Sequence, residues 1–284
     1  MNPTAYALRI GLARGWIEFR ATITRPQELF GNYLMVPVVL LGVLFFMRDT
    51  TVAGTTLPLA SLSLPGVIGM MLVYGPMTAV AVLLSAERED GTLLRAKAVP
   101  NGMVGYVTGM ITRTALDTVT FLVILLIPGV LLFDGLFAGG PGGLLTLLWL
   151  GSLGLVASVP LGLIIGSVVR SPRAVGGWLF FLSGGLVAIS GIFYPITALA
   201  GWLQGIAQVF PFYWVGLGIR SALLPDEAAA VEIGQSWRHL ETVAVLGAWS
   251  VIGLLIAPVV LRRMARGESG SNVEERRQKA LQRL

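Results

Sequence analysis

The chain has 284 residues, 55% of them hydrophobic and only 12% charged, with a mean hydropathy of +0.80, a formal net charge of +5 and no cysteine. A soluble domain carries about 25% charged residues; here the deficit is segregated, with no charge in 50–86, 118–133, 144–169, 174–219 or 242–261. The missing cysteines exclude disulfides, zinc–thiolate sites, iron–sulfur clusters and thiol nucleophiles, and the basic residues behind the pI near 10.0 sit at span ends, where they set membrane orientation rather than bind nucleic acid.

Several charge-free runs reach the ~18 residues that mark a membrane helix. They predict an all-α polytopic membrane protein with six transmembrane helices. Ahead of the spans, residues 1–28 form an amphipathic N-terminal helix with no signal-peptide core. Leu8, Leu12, Trp16, Phe19 and Ile23 share one face, and Arg14, Glu18 and Arg25 fall opposite. Such a helix is expected to lie in the membrane interface with its arginines toward anionic headgroups.

The six spans are read at 29–47, 62–86, 104–133, 144–169, 174–195 and 240–261, giving a transmembrane domain over 29–261 and a basic tail over 262–284. Sixteen Lys and Arg fall on the side of 1–28, 87–103, 170–173 and 262–284, against three on the other side. Cytoplasmic loops carry the basic excess, so both termini are expected inside. The uncharged run 174–219 could hold two spans, but two would carry the basic tail outside. One span followed by an external re-entrant segment over 198–224 is therefore expected, bent at Pro211, with Trp202, Phe210, Phe212, Tyr213 and Trp214 at the outer interface.

Between the second and third spans, Glu87, Arg88, Glu89, Asp90, Arg95 and Lys97 concentrate six charges into eleven residues. Orientation needs fewer, and of one sign. The segment reads as a short exposed helix interrupted at Gly91-Thr92 and ended by Pro100, directly joining two spans. A partner docked there would move both.

The stretch EREDGTLLRAKAVP resembles the coupling segment of type-2 ATP-binding cassette (ABC) exporter permeases, with Glu87, Glu89, Gly91, Thr92, Leu93, Arg95 and Pro100 on the pattern. Leu94 stands where that family usually has an acid and Lys97 where it usually has an apolar residue. A second stretch, SGIFYPITALAGWLQGIAQVFPFYWVGLGIRSAL over 190–223, is similar to the family's fifth span, external re-entrant segment and Pro-aromatic turn. With the amphipathic helix and six spans, the likeness covers nearly the whole chain. It implies a cytoplasmic coupling helix over 87–100, in which Arg88 and Asp90 also lie, and an ATPase docked on 87–97. The membrane implied is the bacterial cytoplasmic (inner) membrane.

A phosphate-binding loop needs Gly-x-x-x-x-Gly-Lys-Ser/Thr. The two lysines, Lys97 and Lys279, are each followed by alanine, so this chain has no such loop. The resemblance therefore implies ATP and magnesium on a separate ABC ATPase subunit, present in two copies, and a second permease copy or homologue. The chain itself would be no enzyme and hold no cofactor. In the family the first, second and fifth spans line the path, which makes Asn32, Tyr33, Met35, Met70, Met71, Tyr74, Phe180 and Phe181 candidates for contact with an amphiphilic drug, antibiotic or lipid.

Arg113 and Asp117, four apart in the third span, form a predicted intramembrane ion pair. Used as a proton relay it would make the chain an ion-coupled secondary transporter; otherwise it is an internal pair with Arg113 reaching toward headgroups. A lipid-linked polysaccharide is the alternative cargo within the same family. His239 is the one histidine and has no second ligand for a metal, and Ser183, Ser190 and Thr197 lack an activating base, so no catalytic residue is predicted. Gly105-x-x-x-Gly109 and Gly162-x-x-x-Gly166 read as helix-packing faces.

Overall fold

In lipid, an apolar run of this length satisfies its backbone N–H and C=O groups internally only as a helix. The computed structural model describes residues 2–51, 58–133, 136–137, 140–169 and 171–267, and among them there is no β-strand, only an isolated bridge between Thr51 and Pro58. Most of the basic tail, including Arg276, Arg277, Lys279 and Arg283, lies outside the described residues, as do Arg170 and the centre of the 48–61 connection.

The elements in chain order are α1 (Pro3–Thr24), α2 (Pro26–Phe46), α3 (Leu59–Glu89), α4 (Thr92–Lys97), α5 (Gly102–Leu132), α6 (Gly140–Val168), α7 (Pro172–Ile189), α8 (Gly201–Ala207), α9 (Pro211–Leu223) and α10 (His239–Gly267). Six of them (α2, α3, α5, α6, α7 and α10) are long and apolar enough to cross a membrane. The chain is a helical polytopic membrane protein.

The 31 residues of α3 extend about 46 Å at 1.5 Å per residue, well beyond a hydrocarbon core of about 30 Å. The helix is thus long enough to cross and still keep Glu87, Arg88 and Glu89 on its final turn. α3 is also the central helix, packed against α5, α6, α7 and α9. Close approach to α6 depends on small residues: a Cβ on Gly162 would stand 2.5 Å from the Met77 carbonyl oxygen, and one on Gly166 2.7 Å from that of Ala81.

The segment between α7 and α10 is folded inward. α9 inserts among α3, α6 and α10, and nearly all of its residues are buried. Phe212, Tyr213 and Trp214 thus belong to the protein core, not to an outer interface as the sequence predicts; Trp202 on α8 is exposed. The inward packing follows from Gly216 and Gly218, which let α9 close on Gly69 of α3 and Leu150 of α6. α7 is the opposite case, burying Val175 and Leu179 and leaving Trp178, Phe180 and Phe181 exposed.

α1 lies along α5. Its contact face is Ala7, Gly11, Gly15, Phe19 and Thr22. A Cβ on Gly11 would meet the Gly105 oxygen at 2.5 Å, and one on Gly15 the Gly109 oxygen at 2.6 Å. Leu8, Leu12 and Trp16 are exposed. Arg9, Arg20 and Arg25 are exposed too, but Arg14 and Glu18 turn into the protein, contrary to the expected headgroup-facing arrangement. The reason is that acidic Glu87 and basic Arg113 stand on the helices beneath them.

Candidate functional site

A cavity of about 620 Å³ opens between α2, α3 and α5. α2 builds one wall with an irregularity: Phe30–Leu34 forms a π-helical turn, which carries Asn32 and Tyr33 into the lining. Such turns recur at functional sites because the extra residue re-aims side chains. α3 contributes Ile68, Met71, Leu72, Tyr74 and Thr78; α5 contributes Arg113, Asp117, Phe121 and Leu122. The Thr78 hydroxyl is buried without a hydrogen-bond partner.

At one end of the cavity the polar groups form a network. The Tyr33 hydroxyl donates to Asp117 Oδ1. Arg113 stands 3.6 Å from Asp117 and 3.5 Å from Glu18. Arg14 then bridges Glu18 and Glu87, at 2.6 Å to each, and lies over the Tyr106 ring at 5.3 Å. Burial alone would lower the Arg14 guanidinium's pKa, but hydrogen bonds and the charges of Glu18 and Glu87 outweigh it and hold the group above its usual range. The predicted Arg113–Asp117 pair is thus one link in a chain joining α1, α2, α3 and α5.

The structure brings Asn32, Tyr33, Met71 and Tyr74 together on this cavity, and adds Arg113 and Asp117 to them. It does not bring the other path candidates there. Met35 is exposed, Met70 packs against the buried core, and Phe180 and Phe181 project from α7 edge to face with each other.

The charged connection divides into two unlike parts. Glu87 and Arg88 are buried inside α3, where a solvated loop is expected. Glu87 accepts from Arg14, and Arg88 Nη1 donates to the carbonyls of Gly166 and Ser167 at the end of α6, at 3.2 and 3.0 Å. The last carbonyls of a helix lack partners further along it, and the guanidinium caps this end of α6. After Glu89 the chain turns. Asp90 Oδ1 accepts from the Thr92 N–H at 2.8 Å, and Gly91 adopts φ 78°, the left-handed region that glycine enters without strain. α4 follows, with Leu93 fully buried among Leu84, Tyr106, Leu163 and Leu261, which belong to α3, α5, α6 and α10. Asp90, Arg95, Lys97 and Pro100 are exposed. α4 packs against α3, α5 and α10, so the charged turn is held to three spans through Leu93 and the partly buried Ala96.

A second buried cluster was invisible in the sequence. Arg220 on α9 pairs with Glu232 at 2.6 Å, both almost wholly buried, and also donates to the Gly191 carbonyl at 3.3 Å. Arg238 lies over the Trp214 ring at 4.8 Å and donates to Gln208 at 2.6 Å. Of the Arg220–Glu232 pair, only Arg220 lies in a stretch singled out in the sequence, 190–223, and it had no predicted partner. No group of acidic residues and histidine that could hold a metal ion occurs among the described residues.

A family model described as ABC-2 family transporter protein matches residues 47–261, from just after α2 into α10. No curated protein matches the chain. With six helices able to cross a membrane and a family match over most of its length, the chain belongs to the ABC-2 transporter family, as the membrane permease subunit of an ABC transporter that works with an ABC ATPase subunit.

Proposed function

We propose that this permease exports an amphiphilic substrate, a drug, antibiotic or lipid, from the cytoplasm or inner leaflet of a bacterial inner membrane, with both termini cytoplasmic. ATP and magnesium would be held by two copies of the ATPase subunit, each docking on the turn at 87–97, and two permease chains would form the path. The observation that supports this reading is the anchoring of α4: Leu93 is fully buried in an apolar cluster and α4 packs against α3, α5 and α10, while Arg95 and Lys97 are exposed. Force applied to such a turn is transmitted to the spans because close-packed interiors deform little.

The test is co-purification and ATP-dependent uptake into inverted vesicles, with Arg95→Glu and Lys97→Glu combined. Both positions are exposed, so folding should survive. Like charge at a docking surface is unfavourable, so ATPase association and uptake should fall together. Uptake driven by a proton gradient without ATP would overturn the reading, as would full coupling in the double variant.

A further inference from the structure

We infer that the cavity between α2, α3 and α5 binds a lipophilic cation, and that Asp117 is the residue selecting for positive charge. This assignment rests on the exporter reading and names its substrate class.

The first argument is the placement of charge. The network at the cavity's end joins Glu18, Glu87 and Asp117 to Arg14 and Arg113. Arg14 is satisfied by Glu18 and Glu87 at 2.6 Å each, away from the cavity. Of the three carboxylates only Asp117 lines it. Asp117 receives one hydrogen bond, from Tyr33, and faces Arg113 at the longer distance of 3.6 Å. A carboxylate accepts about four hydrogen bonds, so capacity remains on the cavity side. Arg113 also lines the cavity, but its charge is divided between Glu18 and Asp117.

The second argument is the wall. Tyr33, Tyr74 and Phe121 are aromatic lining residues, and an aromatic ring attracts a cation, most strongly when it is desolvated. Met71, Leu72 and Leu122 supply apolar surface for the body of the molecule. A volume of about 620 Å³ falls within the range of about 300–1,000 Å³ typical of small-molecule sites.

The test uses two ions of matched size and opposite charge, tetraphenylphosphonium and tetraphenylborate. Each is equilibrated with the permease–ATPase complex in lipid nanodiscs, and binding to empty discs is subtracted. Saturable binding of the cation is expected, with none for the borate. Asp117→Asn should weaken the cation about tenfold or more, the equivalent of losing one charged contact. Leu122→Trp, which keeps every charge and fills the apolar wall, should abolish it, and this variant decides the matter if Asp117→Asn fails to assemble. Saturable borate binding, no binding of either ion, or an unchanged cation affinity in both variants overturns the assignment. ATP hydrolysis in the same preparation is read separately. Normal ATP-coupled export without cation binding removes the cation site and leaves the exporter; cation binding without ATP-driven transport does the reverse.

Discussion

Arg14 on the N-terminal helix donates to Glu87 at 2.6 Å, across 73 residues of chain, and so ties α1 to the last full turn of α3 just before the turn at Asp90-Gly91. The pair stands between the cavity network and the charged turn at 87–97. Glu87 is therefore a structural residue of the second span as much as a member of the charged segment.

Removing either partner should destabilise the permease by about 1–3 kcal/mol, the cost of stranding a buried charged group, and below the 3–5 of a fully buried pair because the Arg14 side chain is 31% exposed. Arg14→Ala, Glu87→Ala and the double variant form a cycle, read by thermal unfolding in detergent. The double variant should lose less than the sum of the singles. Additive losses would show that the two residues act independently.

The Arg220–Glu232 pair is buried more deeply, with side chains 2% and 3% exposed. Glu232→Ala leaves an uncompensated guanidinium in the core, at a cost of about 3–5 kcal/mol, a large share of a typical stability. The expected result is loss of monodisperse protein on size-exclusion chromatography. Arg220→Met with Glu232→Leu should recover much of it, since replacing both members of a buried pair by apolar residues is often neutral. A single variant with wild-type yield and melting temperature would refute the structural role.

These two pairs mark what the sequence could and could not convey. The six spans were legible because a charge-free run in lipid has one conformational outcome, and the break after Glu89 because Gly91 tolerates a left-handed turn. The packing of Gly105 and Gly109 followed from small-residue spacing, but not its partner, which proved to be Gly11 and Gly15 of α1. Periodicity finds the apolar stripe of a helix, and in a membrane the apolar stripe can face lipid while glycines face protein. Leu12 and Trp16, 53% and 51% exposed, are the case in point. Clustered charge reads as solvated, which misplaced Glu87 and Arg88; their burial depends on α3 staying helical through Glu89, beside Arg14 and the end of α6. Glu232 carried no signal, because its pairing depends on how the segment after α9 folds back. The cavity emerged from two sets of residues that the sequence singled out for separate reasons.

The α1–α5 contact gives a third prediction. Gly11→Leu places a side chain where even a Cβ would stand 2.5 Å from the Gly105 oxygen and 2.7 Å from the Thr108 Cβ. Neither backbone can yield, so α1 should lift from α5. The chain has no cysteine, which makes Thr108→Cys a single reporter. Maleimide labelling at that position should be slow in the parent and at least several-fold faster with Gly11→Leu. Equal rates would mean that α1 does not cover Thr108.

Orientation is open to the same chemistry. Among the described residues six helices are able to cross, an even number, so if all six do and the segment before α10 does not, the residues before α2 and those after α10 are expected on one side. Neither helix of that segment spans alone: the 7 residues of α8 and 13 of α9 extend about 10 and 20 Å, against a hydrocarbon core of about 30 Å. The expected side follows from sixteen Lys and Arg against three. A cysteine at exposed Val99, beside α4, should therefore react with a membrane-impermeant maleimide only after cells are permeabilised, while one at exposed Glu227 should react in intact cells. A reporter fused after Leu284 should read cytoplasmic together with Val99. Labelling of Val99→Cys in intact cells would place the charged turn outside, where no ATPase could reach it, and would remove the exporter reading along with the topology.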